Sequence, residues 1–133
     1  MPAASRIDYL REKVRNLPES PGVYLMKDRL GRLVRTALKD VLDAFAQGDV
    51  AKAHAVWERD EEIDQVYTGL FRELLTYMME DPRNITPCAH LLFMAKNIER
   101  IGDHATNIAE NTWFIVRGDT LPTGREKRDT TSQ

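Results

Sequence analysis

"KNIERIGDHATNIAENTWFIVRGD", residues 96–119, is the stretch on which the fold turns. Its small and apolar residues recur at steps of three and four, so it reads as one amphipathic helix stopped by Gly118. The seam extends upstream and contains Leu91, Ala95, Ile98, Gly102, Ala105, Ala109 and Val116. Most of these are small, which lets a neighbouring helix approach closely. "NITP" opens the helix, with Thr86 as candidate N-cap and Pro87 at the first helical position. Glu99, Asp103 and Glu110 lie close to the seam, an unfavourable place for carboxylates unless something offsets their charge.

A second long helix precedes it, from about Val50 to Glu80, with the stripe Val50, Ala53, Trp57, Asp60, Asp64, Tyr67, Phe71, Leu74 and Met78. Asp81-Pro82 ends it. Gly48 suits the end of the element before, and Asp49 can cap the start of this one. Val34, Leu38, Val41 (or Leu42) and Phe45 mark a shorter helix over 34–46. Two long helices joined by a short link should lie antiparallel with the shorter one against them, giving a mainly α, three-helix bundle. The shorter helix leaves two or three turns of its partners to be covered, by residues 1–33 or by a partner chain. In residues 1–33, "RIDYLREKV" spaces Ile7, Leu10 and Val14 as a short helix. "VYLM", "KDRLG" and "RLV" suggest a small β-hairpin after Pro18 and Pro21. Residues 119–133 have the composition of a disordered tail.

The 133 residues allow one modest domain. Residues 1–35 carry eight Lys/Arg against four Asp/Glu, net +4, whereas 36–117 carry eight against fourteen, net −6. That step divides the chain into segments of different character, 1–33, 34–118 and the tail. The acidic segment would repel a phosphate backbone, so no nucleic-acid partner is expected. A lone cysteine, Cys88, allows no intramolecular disulfide and suits a reducing, cytoplasmic setting. No apolar run nears the roughly 20 residues of a membrane span, and the N-terminus lacks an apolar signal core.

Asp60 and Asp64 occupy positions that the second helix's pattern reserves for core residues. Glu99 and Asp103 repeat the four-residue spacing on the third helix. Packed antiparallel, the helices could bring four carboxylates together, with Asn107 adding an amide oxygen. A hard cation such as Mg, Ca, Mn or Fe would relieve the repulsion, and a nearby imidazole would admit Zn. The competing reading is an exposed acidic run at Asp60-Glu61-Glu62, paired with Arg59 and Arg100. Trp57, Trp113 and Phe114 read as packing residues, His90 and His104 as ordinary helix positions, and Cys88 has no activating neighbour. No phosphate loop or nucleophile set emerges, so no enzyme activity is expected.

"YMMEDPRNITPCAHLLFMAKNIERIGDHATNIAENTWFIVRGD", with "RDEEIDQVYTGLFRELL" before it, resembles the C-terminal repeat of the PhoU family of phosphate-uptake regulators over about residues 35–118. The resemblance implies a three-helix repeat whose E/D-x-x-x-D motifs hold iron or zinc. Those motifs match Asp60 to Asp64 and Glu99 to Asp103. It also implies a regulator that couples a phosphate transporter ATPase to a sensor histidine kinase and represses the phosphate-starvation response. The family's N-terminal repeat is expected to be missing, and the surface it would cover makes a homo-oligomer the expected state. In its place, about residues 6–34 resemble the start of the UvrC-type excision nuclease subunit, Gly22-Val23-Tyr24 matching the first half of its GIY-YIG motif. Without the second half, DNA cleavage is not expected, and the alternative is a non-functional or DNA-associated fusion joined near Leu33–Arg35.

Overall fold

The computed structural model describes residues 6–9 and 21–122. Residues 6–9 are helical, while the rest of the expected N-terminal helix lies outside the described residues. Three long helices follow: α1 (Pro21–Gln47), α2 (Val50–Glu80) and α3 (Ile85–Arg117), with a single 3-10 turn, Pro82–Asn84, between the last two. Each helix packs against the other two. The three-helix bundle is therefore as expected.

The boundaries follow from local chemistry. The Asp49 side chain accepts a hydrogen bond from the Lys52 amide at 3.0 Å and caps α2. Asp81 closes α2, and its carboxylate accepts bonds from both the backbone and the guanidinium of Arg83. That contact holds the Asp81 carboxyl below the usual carboxylate range. Gly118, at φ 77°, ends α3 in the left-handed conformation. α3 begins at Ile85, before the expected Thr86-Pro87 start, and Asn84 at its N-cap makes no side-chain cap bond.

The expected hairpin is replaced by helix. α1 starts at Pro21 and runs through Gly22-Val23-Tyr24, "KDRLG" and the expected join at Leu33–Arg35 without a break, and no strand occurs among the described residues. Pro21 is the first helical residue, where its missing N–H costs nothing. Val23, Leu30, Val34, Ala37, Val41 and Ala44 are all buried, at steps of seven, four, three, four and three. This helical period overrides the strand-like composition of "VYLM". Gly22 lies in the first turn of this helix, where a Cβ would meet only the movable carboxylate of Glu73 on α2, and does not open a strand. With this extension α1 itself covers the turns of α2 and α3 that a 34–46 helix would have left bare.

The core draws on Leu30, Val41, Val56, Ile63, Leu70, Leu74, Leu91 and a series of alanines. Truncating Leu70 or Leu74, each fully buried, to alanine should cost roughly 2–5 kcal/mol. Ion pairs fasten α1 to α2: Arg29–Glu62 at 2.8 Å, Arg59–Asp40 at 2.7 Å and Lys52–Asp43 at 3.6 Å. Beyond α3, the Trp113 indole donates to Asp119 at 3.0 Å and Leu121 is buried. Packing thus continues into the first residues of the expected tail; residues 123–133 lie outside the described residues.

Candidate metal centre

Asp60 and Asp64 project from one face of α2 toward α3 because four residues make slightly more than one helical turn. Asp103 meets them from α3. One ligand atom from each of the three carboxylates lies within 4.8 Å of the others. Asp60 is buried, and Asp64 and Asp103 are half-buried. Like charges at this separation, partly withdrawn from water, repel, and a cation shared among their oxygens would offset that repulsion. The donor set fits a hard ion.

The helices come this close because Gly102 sits between them. A Cβ there would lie 3.4 Å from Ile63 Cδ1 on α2 and 3.4 Å from Val34 Cγ2 on α1. The small-residue seam expected on α3 therefore sets the depth of the site as well as the packing.

Three of the four expected ligands converge. Glu99 is also buried, at 2% exposure, but lies outside the triad with its Oε2 3.4 Å from Lys96 Nζ. Lys96 in turn stands 5.3 Å from the Tyr67 ring centroid. Arg59, considered as a neutralising partner, points to Asp40 instead, and Arg100 is exposed. The basic residue nearest in sequence is thereby drawn off the triad. Asn107 is exposed and is not among the converging ligand residues.

The residue that the sequence reading passed over is its neighbour. Thr106 is buried, and its hydroxyl lies 3.0 Å from Asp60 Oδ1 and 3.1 Å from the Gly102 carbonyl. Its signal was present in the sequence. It stands three residues after Asp103 and four after Gly102, on the side of the seam that meets α2.

Trp57 and Trp113 pack about His54, each ring centroid 5.7 Å from the imidazole, and Arg117 covers Trp113 at 5.0 Å. These are packing roles. Cys88 is fully buried, and burial pushes its thiol up from the ordinary value.

Known proteins resemble the chain over this same region. Residues 28–112 match the PhoU domain. A phosphate-specific transport system accessory protein PhoU homolog of Rhizobium meliloti (strain 1021) is 61% identical over 105 residues, 79% of this chain and 44% of that protein. A homolog of the same description from Caulobacter vibrioides (strain NA1000 / CB15N) is 58% identical over 106 residues, 80% and 46%. The crystal structure of PhoU from Pseudomonas aeruginosa superposes with a TM-score of 0.71 at 42% identity, covering 76% of this chain and 48% of that one. The chain spans about half the length of the curated relatives it matches. The match starts inside the 6–34 stretch that was compared with a nuclease, so residues 28–34 are part of the PhoU-like region. With a bundle, a sequence match and a solved relative in agreement, the chain belongs to the PhoU domain family.

Proposed function

We propose that this chain regulates phosphate transport and phosphate-starvation signalling through protein contacts, with a metal ion held on its acidic α2–α3 face. Asp60, Asp64 and Asp103 are the direct ligands in this reading, and Glu99, one turn along, is the fourth carboxylate of the site. The observation that carries it is the convergence of three carboxylates within 4.8 Å in a chain of this family. An all-oxygen donor set suits iron. Zinc, the other ion implied by the resemblance, more often takes nitrogen or sulfur. The relatives' description as accessory proteins of the phosphate-specific transport system supports a partner in that transport system; the transporter ATPase and the sensor histidine kinase are the partners that the family resemblance implies. The role is non-enzymatic and cytoplasmic, and no described helix is long and apolar enough to cross a membrane.

The chain is further proposed to self-associate through the flanks of α1 and α3 that face away from α2. Leu38, Leu42 and Phe45 on α1 and Met94, Ile101 and Ile115 on α3 are all exposed there. Gly102 beside Val34 and Gly48 beside Val116 set the two helices side by side. Six large side chains open to this extent offer several hundred Å² of apolar surface, on the order of the roughly 800 Å² per partner of a stable interface. A second copy of this chain fills it symmetrically.

Elemental analysis of the purified protein, with its Tm before and after chelation, tests the metal reading. Bound iron or zinc and a chelator-induced fall support it. Metal-free protein with no shift on adding ferrous or zinc ion overturns it.

A further inference from the structure

We propose that Thr106 is a positioning residue that makes Asp60 a one-oxygen ligand and so sets which cations the site prefers. This rests on the metal-centre reading above. The Thr106 hydroxyl has one proton and two acceptors in reach, Asp60 Oδ1 at 3.0 Å and the Gly102 carbonyl at 3.1 Å. The carboxylate carries the charge and is the stronger acceptor. With Oδ1 engaged by the hydroxyl, Asp60 would serve a bound ion through its other oxygen. Both residues are buried, so water competes poorly for that bond, and the contact crosses from α3 to α2 at the level of Gly102. Small first-row cations are content with single-oxygen ligands. Calcium takes six to eight oxygens and often grips a carboxylate by both. Freeing Oδ1 should therefore erode the preference for the smaller ion.

The test compares wild type, Thr106→Val and Thr106→Ser in titrations with Mn²⁺ alone and Ca²⁺ alone, Mn²⁺ followed by its spin resonance. Valine keeps the shape of threonine and removes the hydroxyl; serine keeps the hydroxyl. Thr106→Ala replaces the valine variant if circular dichroism shows that the latter does not fold. The expected result is Mn²⁺ affinity weakened roughly 10- to 100-fold in Thr106→Val, a smaller change for Ca²⁺, and Thr106→Ser within about threefold of wild type. Equal affinities in wild type and Thr106→Val overturn the proposal, as does a uniform loss for both ions, which marks a packing role only. Wild-type protein that takes up neither ion overturns this proposal, and the metal-centre reading falls with it where ferrous and zinc ions also fail to bind.

Discussion

α3 presents two flanks that break the usual rule in opposite directions. Toward α2 it turns Glu99, Asp103 and Thr106, and the first and last of these are buried. On its other side Met94, Ile101, Ile108 and Ile115 recur every seven residues, and all but the half-buried Ile108 are exposed. Charge goes inward and apolar surface outward. Each arrangement is unfavourable alone, by desolvation in the first case and by exposed apolar area in the second. Within the bundle, Lys96 stands by Glu99 and Thr106 donates to Asp60; in the function proposed above, an ion on the first flank and another protein surface on the second would relieve what is left. The contrast suggests that the helix is patterned for two kinds of ligand.

The strongest way to break this comparison is to remove the ion. At free metal about 100-fold above Kd, binding adds about 2.7 kcal/mol, so chelation should lower Tm by roughly 10 °C. In Asp64→Asn or Asp103→Asn the metal-dependent shift should vanish in differential scanning calorimetry. The metal-free variants should be at least as stable as metal-free wild type, because a repulsive charge has gone. A metal-free variant that melts well below metal-free wild type would show the carboxylates to be structural.

A smaller effect is expected at the approach of the helices. Gly102→Val should cost about 1–3 kcal/mol by overpacking against Ile63 and Val34, read as a lower urea midpoint with an unchanged m-value. It should also spread the carboxylate triad and weaken metal uptake. Unaltered uptake would uncouple the seam from the site.

The outward flank should respond in the reverse sense. Ile115→Glu, at a side chain 68% exposed, should change stability by no more than about 0.5 kcal/mol and leave metal uptake intact. It should shift sedimentation velocity from dimer to monomer. Retained dimer would move the interface elsewhere.

The smallest effect sharpens the boundary between the flanks. Cys88, on the closed side of α3 with its thiol pushed up by burial, should resist iodoacetamide in the folded protein and react in urea. Rapid labelling under native conditions would place the start of α3 in the open.

The last two helices were largely legible. The limits Val50–Glu80 were read to the residue, since Gly48-Asp49 and Asp81-Pro82 are unambiguous punctuation. α1 was only half legible. Among the described side chains between Val23 and Leu30 none is more than partly buried, so the helical period lapses where Pro21, Gly22 and "VYLM" speak for turn and strand. Within elements the errors are of one position, or 100° of rotation. Val34 and Val41 were expected inside and are buried, but Leu38, Phe45 and the alternative Leu42 are exposed, and Ala37 and Ala44 complete the buried stripe instead. A reading that ranks by hydrophobicity chooses large residues, whereas close helix packing chose small ones. The same slip put Asn107 forward and missed Thr106. The three aspartates were found because their four-residue spacing survives such a rotation. Glu99 was placed on the correct flank, but spacing does not reveal that Lys96 would lie beside it.

The odd number of helices has a mechanical consequence. α1 and α3 run parallel, so Pro21 and Arg117 lie at opposite ends of a rod about 40–50 Å long by helical rise. A force applied between those two points loads every helix contact in shear, along the axes, and no helix can be peeled from the others one turn at a time. Resistance to pulling is set by the barrier to unfolding, and in this geometry the Arg29–Glu62, Arg59–Asp40 and Lys52–Asp43 pairs must slide past one another together.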